Sequence, residues 1–275
     1  MRVRTALPKD RATIEDLCQH SSRTTARLWW WEEHPGAETF VVTEMSGIVR
    51  GVLFAWADGS PIAWTRLAAL DDLMSIADWL ALSLPPVIAG LRRQHARGLA
   101  WLDHGGWAGP HLEEHGFVPL TQVITLVKRH RRMPPCPSDA ATVRPATRAD
   151  VPATIAIDQA AFSPHWWHST EAMFRKMTAA THFLVALRGG AVVGYVEGTA
   201  QGPRAHINRL AVLPAHQNQG VGTTLLHHIL TAFWRDGIRT TTLNTQSDNE
   251  HARNLYRRFG FQPTGDSTLA WELTL

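Results

Sequence analysis

The spacing of apolar residues changes several times along the second half of the chain, and each spacing predicts a different element. Two apolar runs flank Gly189-Gly190, which indicates a strand hairpin over 183–188 and 191–199. Residues 205–213 alternate as in a strand, which places His206 on the same face as Leu210 and Val212. From Val221 onward apolar residues recur every three or four positions, the spacing of an amphipathic helix.

The same half contains three more elements. Residues 142–146 and 240–245 are typical of strands, and residues 249–259 are typical of an amphipathic helix that ends before Gly260. A further helix begins after Thr147, a residue that favours helix starts. Strands and helices are therefore interspersed along this half, which is typical of an α/β protein.

Four segments of the first half recur later at a nearly constant spacing. "VRTALPKDRATI" resembles "VRPATRADVPATI", and "FVVTEMSGIVRG" resembles "FLVALRGGAVVG". "TRLAA" from Thr65 aligns with "NRLAV" from Asn208, and "GFVP" from Gly116 aligns with "GFQP" from Gly260. The chain is therefore predicted to be a duplicated domain.

The two copies are joined by "VKRHRRMPPCPSDAAT", residues 127–142, which contains three prolines within four positions. Proline continues neither a helix nor a central strand, so this segment indicates a linker. We predict a first domain over 1–130, a Pro-rich linker over 131–141 and a second domain over 142–275.

Composition narrows the class of protein. The 275 residues are 44% hydrophobic and carry a formal net charge of +3, too mild a surplus to indicate nucleic acid. We expect a cytoplasmic protein without membrane contact, because no apolar run reaches a spanning length and no signal peptide opens the chain. Cys18 and Cys136 cannot form a metal-type pair, and we predict no metal site. The oligomeric state is left open.

One loop has the features of an anion site. In Gln217-Asn218-Gln219-Gly220-Val221-Gly222, two glycines stand between a predicted strand and the predicted helix. A helix start leaves backbone N–H groups without partners, and glycines let a ligand approach the backbone. A phosphate or pyrophosphate suits such a place. The P-loop and dinucleotide motifs are both incomplete here.

A second motif makes the interpretation specific. "NEHARNLYRRFGF", residues 249–261, matches Asn-x-x-Ala-x-x-Leu-Tyr-x-x-x-Gly-Phe at every fixed position. With Gln217, Gly220 and Gly222, the chain resembles the GCN5-related N-acetyltransferase (GNAT) superfamily. The resemblance implies two tandem GNAT-like domains, each a mixed, mostly antiparallel sheet flanked by helices. It also implies acetyl-CoA as cosubstrate, bound between two splayed strands.

The resemblance further implies roles for individual residues. Backbone groups of Leu210 and Val212 would pair with the pantetheine arm, the loop N–H groups would hold the pyrophosphate, and Asn249 would contact the pantetheine or acetyl group. The predicted cofactor-binding residues are Leu210, Ala211, Val212, Gln217, Asn218, Gln219, Gly220, Val221, Gly222, Thr223 and Asn249.

Amine acetylation needs a neutral nucleophile, a stabilised oxyanion and a proton for the departing thiolate. By the resemblance, Tyr256 would protonate the thiolate, and the Val212 N–H would polarise the thioester carbonyl. The predicted base is His206 or Glu197, with Asn208 or water alone as alternatives. We place Trp166, Trp167 and Asn208 in the acceptor site, where an amine, either a small molecule or a peptide, would bind.

The first copy departs from the motif. At a constant spacing of 143, Gln217, Gly220 and Gly222 align with Met74, Ala77 and Trp79, and near the end Tyr256 aligns with Leu112. We therefore expect the first copy to be degenerate and not to bind acyl-CoA.

Two functions follow from these motifs. The first is transfer of an acetyl group from acetyl-CoA to a primary amine by direct attack in a ternary complex. Its acceptor is a small-molecule amine, as the similarity to mycothiol-synthase-like tandem enzymes suggests, or a peptide N-terminus. The second is a non-catalytic acyl-CoA-binding or scaffolding protein.

Overall fold

The computed structural model describes residues 1–25, 37–137 and 140–275, and the chain divides into two compact units. Unit 1 comprises Met1–Gln122 and Thr268–Leu275, and unit 2 comprises Val123–Ser267. Residues 138 and 139 of the predicted linker lie outside the described residues.

Unit 1 contains one mixed sheet with helices. Its elements are β1 (Arg2–Thr5), α1 (Arg11–His20), β2 (Arg23–Thr24), β3 (Phe40–Met45), β4 (Ile48–Trp56), β5 (Ile62–Leu70), α2 (Ile76–Arg93), β6 (Gly98–Asp103), α3 (Gly109–Glu114) and the first part of β7 (Val118–Lys128). The sheet order is β1-β3-β4-β5-β6, followed by the end of β13 (Gln262–Thr274). Of these neighbouring pairs, β5 and β6 run parallel.

Unit 2 repeats this plan. Its elements are the second part of β7, β8 (Thr142–Pro145), α4 (Val151–Ala161), α5 (Thr170–Ala179), β9 (His182–Arg188), β10 (Ala191–Gln201), β11 (Arg204–Val212), α6 (Val221–Arg235), β12 (Thr240–Gln246), α7 (Glu250–Arg258) and the first part of β13. The sheet order is β8-β9-β10-β11-β12-β7, with β11 and β12 parallel. The predicted mixed, mostly antiparallel sheets with flanking helices are confirmed.

The core of unit 2 follows the predicted helical spacing. Val221, Leu225, Ile229 and Phe233 on α6 are at most 1% exposed. They pack with Ile207 and Val212 of β11 in one apolar cluster. Burial of this continuous stripe is what holds α6 on the sheet.

The compact units do not share the limits predicted for the domains. Residues 123–128 of β7 pair with β12 and so belong to unit 2, although they precede the linker. Residues 269–274 of β13 pair with β6 and so belong to unit 1. The predicted limits 1–130, 131–141 and 142–275 differ from the units because each sequence copy supplies the end of its last strand to the other unit.

The hydrophobic pattern did not reveal α5. Ser169 caps this helix by accepting a hydrogen bond from the Ala172 N–H at 3.0 Å, and Met173 anchors it with no exposed surface. Within the described part of the chain, none of the helices is both long and apolar enough to cross a membrane.

Candidate active site

A cleft opens in unit 2 where β11 and β12 separate. The two strands pair only between Arg204–Ile207 and Thr240–Leu243. Beyond these residues β11 stays paired with β10, while β12 stays paired with β7. The resulting cleft has a volume of about 170 Å³. It is lined by Val123, Phe162, Trp166, Ile207, Asn208, Arg209, Leu210, Asn244, Thr245, Gln246, Asn249, Ala252 and Tyr256.

A β-bulge lies at the point of separation. Glu197 of β10 is opposite Arg209, and Gly198 is opposite Ile207, so Asn208 is the extra residue. A bulge shifts the alternation of side chains by one position. Ile207 and Val212 consequently share the apolar cluster under α6. The prediction that His206 shares a face with Leu210 and Val212 is therefore wrong, because strict alternation ignores the bulge.

The backbone edge of β11 is open toward the cleft. The Leu213 N–H donates to the Val193 carbonyl at 2.9 Å, on the β10 side. Since peptide groups alternate in direction along a strand, those of Leu210 and Val212 point away from β10. Ala211 faces β10 with its peptide groups, and its side chain is buried. Gln217 Nε2 donates to the Val212 carbonyl at 3.0 Å. The described residues supply no other hydrogen-bond partner to the outward peptide groups of Leu210 and Val212, which can therefore pair with an extended ligand.

The glycine loop ends in an uncapped helix start. Gly220 is the N-cap of α6 and has φ of +83°, a left-handed conformation that favours glycine. Among the residues that the structure describes, no side chain caps α6, and its first turn contains no acidic residue. The N–H groups of Val221, Gly222 and Thr223 therefore lack intrahelical acceptors and favour an anion.

Other groups of the loop are already engaged. The Gln217 N–H donates to the Pro214 carbonyl at 3.2 Å, so it is not a free donor for a phosphate. Gln219 accepts a hydrogen bond from Arg188 through Oε1 and donates to the Ala215 carbonyl at 2.9 Å. Asn218 has φ of +58°. These contacts fix the shape of the loop, and the free N–H groups lie at its end.

Tyr256 and Asn249 reach the cleft from α7. Tyr256 is 7% exposed, and its ring meets Phe261 edge-on with 5.9 Å between centroids. Burial raises the pKa of Tyr256 to about 12, so the phenol stays protonated at neutral pH. Asn249 caps α7 by accepting a hydrogen bond from the Ala252 N–H at 3.1 Å.

Neither predicted base lines the cleft, but Glu197 is connected to it. Glu197 is 1% exposed and accepts a hydrogen bond from Nδ2 of the cleft residue Asn208 at 2.7 Å. Lys176 Nζ lies 3.5 Å from its other oxygen. His206 Nδ1 is 2.8 Å from Thr242 Oγ1, in the region where β11 and β12 still pair, and burial lowers its pKa.

The two tryptophans predicted for the acceptor site lie in different environments. Trp166 lines the cleft, whereas Trp167 is outside the lining and donates from Nε1 to the Phe162 carbonyl at 2.8 Å. The sequence did not indicate Phe162 or Arg209, which also line the cleft. The guanidinium of Arg209 lies 3.6 Å from the Phe162 ring centroid, a cation–π contact.

In unit 1 the corresponding strand edge is occupied by the chain itself. β5 and β6 pair only over Ile62–Trp64 opposite Gly98–Ala100. Beyond that region β2 pairs with β5, and the Thr25 N–H donates to the Ala68 carbonyl at 2.9 Å. Ala68 N–H in turn donates to Thr25 Oγ1 at 2.9 Å. This edge has no peptide groups left for an extended ligand at Ala68.

The helix start of unit 1 is also closed to anions. Ser75 caps α2 by accepting from the Asp78 N–H at 3.3 Å, and Asp78 places a negative charge in the first turn. Trp79 is fully buried and lies near the rings of Trp101 and Trp107. The start of α2 is therefore capped and acidic, unlike the start of α6.

The structure corrects the alignment of the two copies. The two helix starts pair Gly220 with Ser75 and Gly222 with Ala77. The constant spacing had paired these glycines with Ala77 and Trp79. That alignment is wrong because the loop between strand and helix is shorter in the first copy.

Comparison with known proteins is consistent with this geometry. Residues 151–261 match the model of the acetyltransferase (GNAT) family. Over 88 residues the chain is 35% identical to the N-alpha-acetyltransferase RimI of Mycobacterium tuberculosis, a match that covers 30% of this chain and 54% of that protein. This chain thus spans about half the length of that relative.

Two solved structures share the fold along almost the whole chain. A GCN5-related N-acetyltransferase from Sphaerobacter thermophilus has a TM-score of 0.68 and 17% identity, and the match covers 99% of this chain and 95% of that one. A tandem GNAT protein from the clavulanic acid biosynthesis pathway has a TM-score of 0.65 and 17% identity, with 99% and 98% covered.

Proposed function

We propose that unit 2, which contains the segment that matches the acetyltransferase (GNAT) family, transfers the acetyl group of acetyl-CoA directly to a primary amine within a ternary complex. The observation that carries this proposal is the open edge of β11 between the uncapped start of α6 and Tyr256. A methyl group at Gly222 would lie 3.8 Å from the side chains of both Leu210 and Val212, so the helix start adjoins this edge. An extended ligand with an anionic end fits such an arrangement.

Acetyl-CoA would bind along the free edge of β11 in a single orientation. Its pyrophosphate would accept hydrogen bonds from the N–H groups of Val221, Gly222 and Thr223. Its pantetheine amides would pair with the peptide groups of Leu210 and Val212, as a further strand would. Asn249 lies in the cleft lining and would contact the same arm. The thioester would then lie near Tyr256.

The acid side of the reaction is assigned to Tyr256. The amine nitrogen attacks the thioester carbonyl carbon, the carbon–sulfur bond breaks, and the thiolate leaves. Because its pKa is raised to about 12, the phenol carries a proton that it can give to the thiolate. An N–H group of the β11 edge would stabilise the oxyanion that precedes bond breaking.

The role of general base is assigned to Glu197, which would act through the bulge residue Asn208. The attacking amine must lose a proton, and no residue of the cleft lining is an acid or a histidine. The Asn208 amide connects the cleft to the Glu197 carboxylate over 2.7 Å. A water held at Asn208 would carry the proton to Glu197. His206 is the weaker candidate because it bonds to Thr242 in the paired region.

Unit 1 is proposed not to bind acyl-CoA. Its β5 edge is paired with β2, and its helix start carries both a cap and an acid. One acetyl-CoA per chain is therefore the expected stoichiometry.

For the acceptor we propose a peptide N-terminal amine. The name N-alpha-acetyltransferase of the relative from Mycobacterium tuberculosis supports this choice. The side chains of Asn208, Asn244 and Gln246 in the cleft lining each offer a donor and an acceptor, the pair that a peptide group needs. A small-molecule amine is the alternative.

A panel of acceptors tests the proposal. The purified chain is mixed with acetyl-CoA and with either peptides of varied first residue or small-molecule amines. Thiol release and acetylated products are followed, and acetyl-CoA binding is measured by calorimetry. The proposal predicts thiol release with peptides and one bound acetyl-CoA per chain. Binding without thiol release on any amine would instead support a non-catalytic acyl-CoA-binding protein.

A further inference from the structure

A fully buried carboxylate ties together three segments behind the acceptor side of the cleft. Asp158 of α4 has no exposed surface. Its Oδ1 accepts hydrogen bonds from the Tyr195 hydroxyl of β10 at 2.5 Å and from Arg209 Nε of β11 at 2.9 Å. Its Oδ2 accepts from the His168 N–H at 3.0 Å. A single side chain thus connects the sheet to the loop between α4 and α5.

Arg209 extends this connection to Phe162 and Trp166, which form the aromatic wall of the cleft. It directly follows the bulge residue Asn208. Its guanidinium lies over the Phe162 ring at 3.6 Å and donates to the carbonyl of Trp166. Phe162 and Trp166 both line the cleft, so this one guanidinium contacts both parts of the wall.

The charges of the network balance. Burial alone would raise the pKa of Asp158, but His168 and the charge of Arg209 lower it to about 2. Burial lowers the pKa of His168 to about 4, so this imidazole is neutral at pH 7. The network therefore contains one carboxylate and one guanidinium, and Arg209 brings no net positive charge to the cleft.

We propose that Asp158 and Arg209 are positioning residues that hold the Phe162–Trp166 wall against the Asn208 bulge. Because their charges neutralise each other, the pair also selects acceptors that carry an uncharged group beside the amine. The proposal rests on the proposed acetyl transfer. Arg209 would otherwise favour an acidic group at that place. Its pairing with Asp158 and its cover by the Phe162 ring remove that preference.

Asp158→Asn is the central test, because it keeps the shape, removes the compensating charge and replaces the acceptor of the His168 N–H with a donor. We expect the acceptor KM for neutral peptides to rise about tenfold or more, since small misplacements at a reactive site carry large kinetic effects. Acidic acceptors should gain relative to neutral ones, because Arg209 is then uncompensated. The acetyl-CoA Kd, measured without acceptor, should change little.

Asp150→Asn provides the matched control. Asp150 is 6% exposed and pairs with Arg144 at 2.7 Å at the other end of α4, outside the cleft lining. We expect it to lower the Tm and to leave acceptor KM and acceptor preference unchanged. Hydrogen exchange over residues 162–168 should increase in Asp158→Asn and not in Asp150→Asn.

Phe162→Leu covers the case in which Asp158→Asn fails to fold. It keeps the ion pair and alters only the wall, and it should raise acceptor KM with an unchanged acetyl-CoA Kd. The inference is overturned if Asp158→Asn and Asp150→Asn affect acceptor KM alike, or if Phe162→Leu leaves it unchanged. Failure of the proposed function gives a different result, namely a wild-type chain that acetylates no amine.

Discussion

Asn208 donates a hydrogen bond from Nδ2 to Glu197 Oε2 at 2.7 Å, at the bulge where β11 parts from β12. This contact joins the buried carboxylate of Glu197 to β11. In the described part of unit 2, it lies at the only stretch of β11 whose free edge faces the cleft. It is also the link on which the assignment of the base depends.

Replacing Glu197 with Gln should lower kcat by about 10² or more, because the proton of the attacking amine loses its acceptor. The acetyl-CoA Kd should stay the same, since Glu197 lies outside the cleft lining. Steady-state kinetics across pH and calorimetry measure the two quantities. His206→Gln is the comparison variant and should retain most of its kcat. The reverse order of effects would reassign the base to His206.

Tyr256→Phe should lower kcat by about 10² because the thiolate then leaves without a proton donor. The raised pKa keeps the wild-type phenol protonated, so its ionisation should not reduce kcat in the neutral or mildly alkaline range. Phe261→Leu disturbs the neighbouring ring but keeps the hydroxyl, and it should remain active. An unchanged kcat and pH profile in Tyr256→Phe would remove Tyr256 from the mechanism.

Gly222→Leu should raise the acetyl-CoA Kd at least about tenfold, equivalent to about 1.4 kcal/mol, by filling the space above the free N–H groups. Gly222→Ala should be mild, because its methyl group would have no neighbour closer than 3.5 Å. Ala77→Leu changes the corresponding position of unit 1 and should leave the Kd unchanged. Calorimetry measures the acetyl-CoA Kd of the three variants. Weaker binding in Ala77→Leu would indicate that unit 1 binds the cofactor.

Trp79→Ala should destabilise the protein by about 3–5 kcal/mol, as expected for deletion of a fully buried aromatic side chain. Denaturant unfolding followed by circular dichroism measures this loss. Acetyl-CoA binding by the folded variant should be unaffected, since the proposed cofactor path lies in unit 2. A loss below about 1 kcal/mol would mean that the site collapses around the deletion.

Lys128 makes the free energy of unfolding depend on pH. Its ammonium group is 2.6 Å from the carbonyls of both Phe259 and Arg132, and burial lowers its pKa from 10.5 to about 8. Between these values the unfolded chain holds a proton that the folded chain has released, so stability rises with pH across that window. Relative to Lys128→Met, the wild type should gain stability from pH 8 to pH 10. A constant difference between the two proteins would contradict this assignment.

The sequence predicted the elements around the proposed cofactor path because they depend on local signals. The Gly189-Gly190 hairpin, the apolar stripe of α6 and the motif on α7 are each predicted from one short continuous segment, and the structure contains all three. The glycine loop lies between β11 and α6, as the sequence predicted.

Features that depend on distant pairing were not predictable. The bulge at Asn208 is defined by its β10 partners, and it reverses the side on which His206 lies relative to Val212. The pairing of residues 269–274 with β6 joins segments that are far apart in sequence. Asp158 and Arg209 meet only after folding, and neither belongs to a spaced motif.

The most direct test of the central claim is an initial-rate study in which acetyl-CoA and the amine are varied together. Direct transfer within a ternary complex predicts double-reciprocal lines that intersect, with thiol release that requires the amine. Parallel lines, or a burst of thiol in the absence of amine, would show an acetylated protein intermediate and would contradict the account.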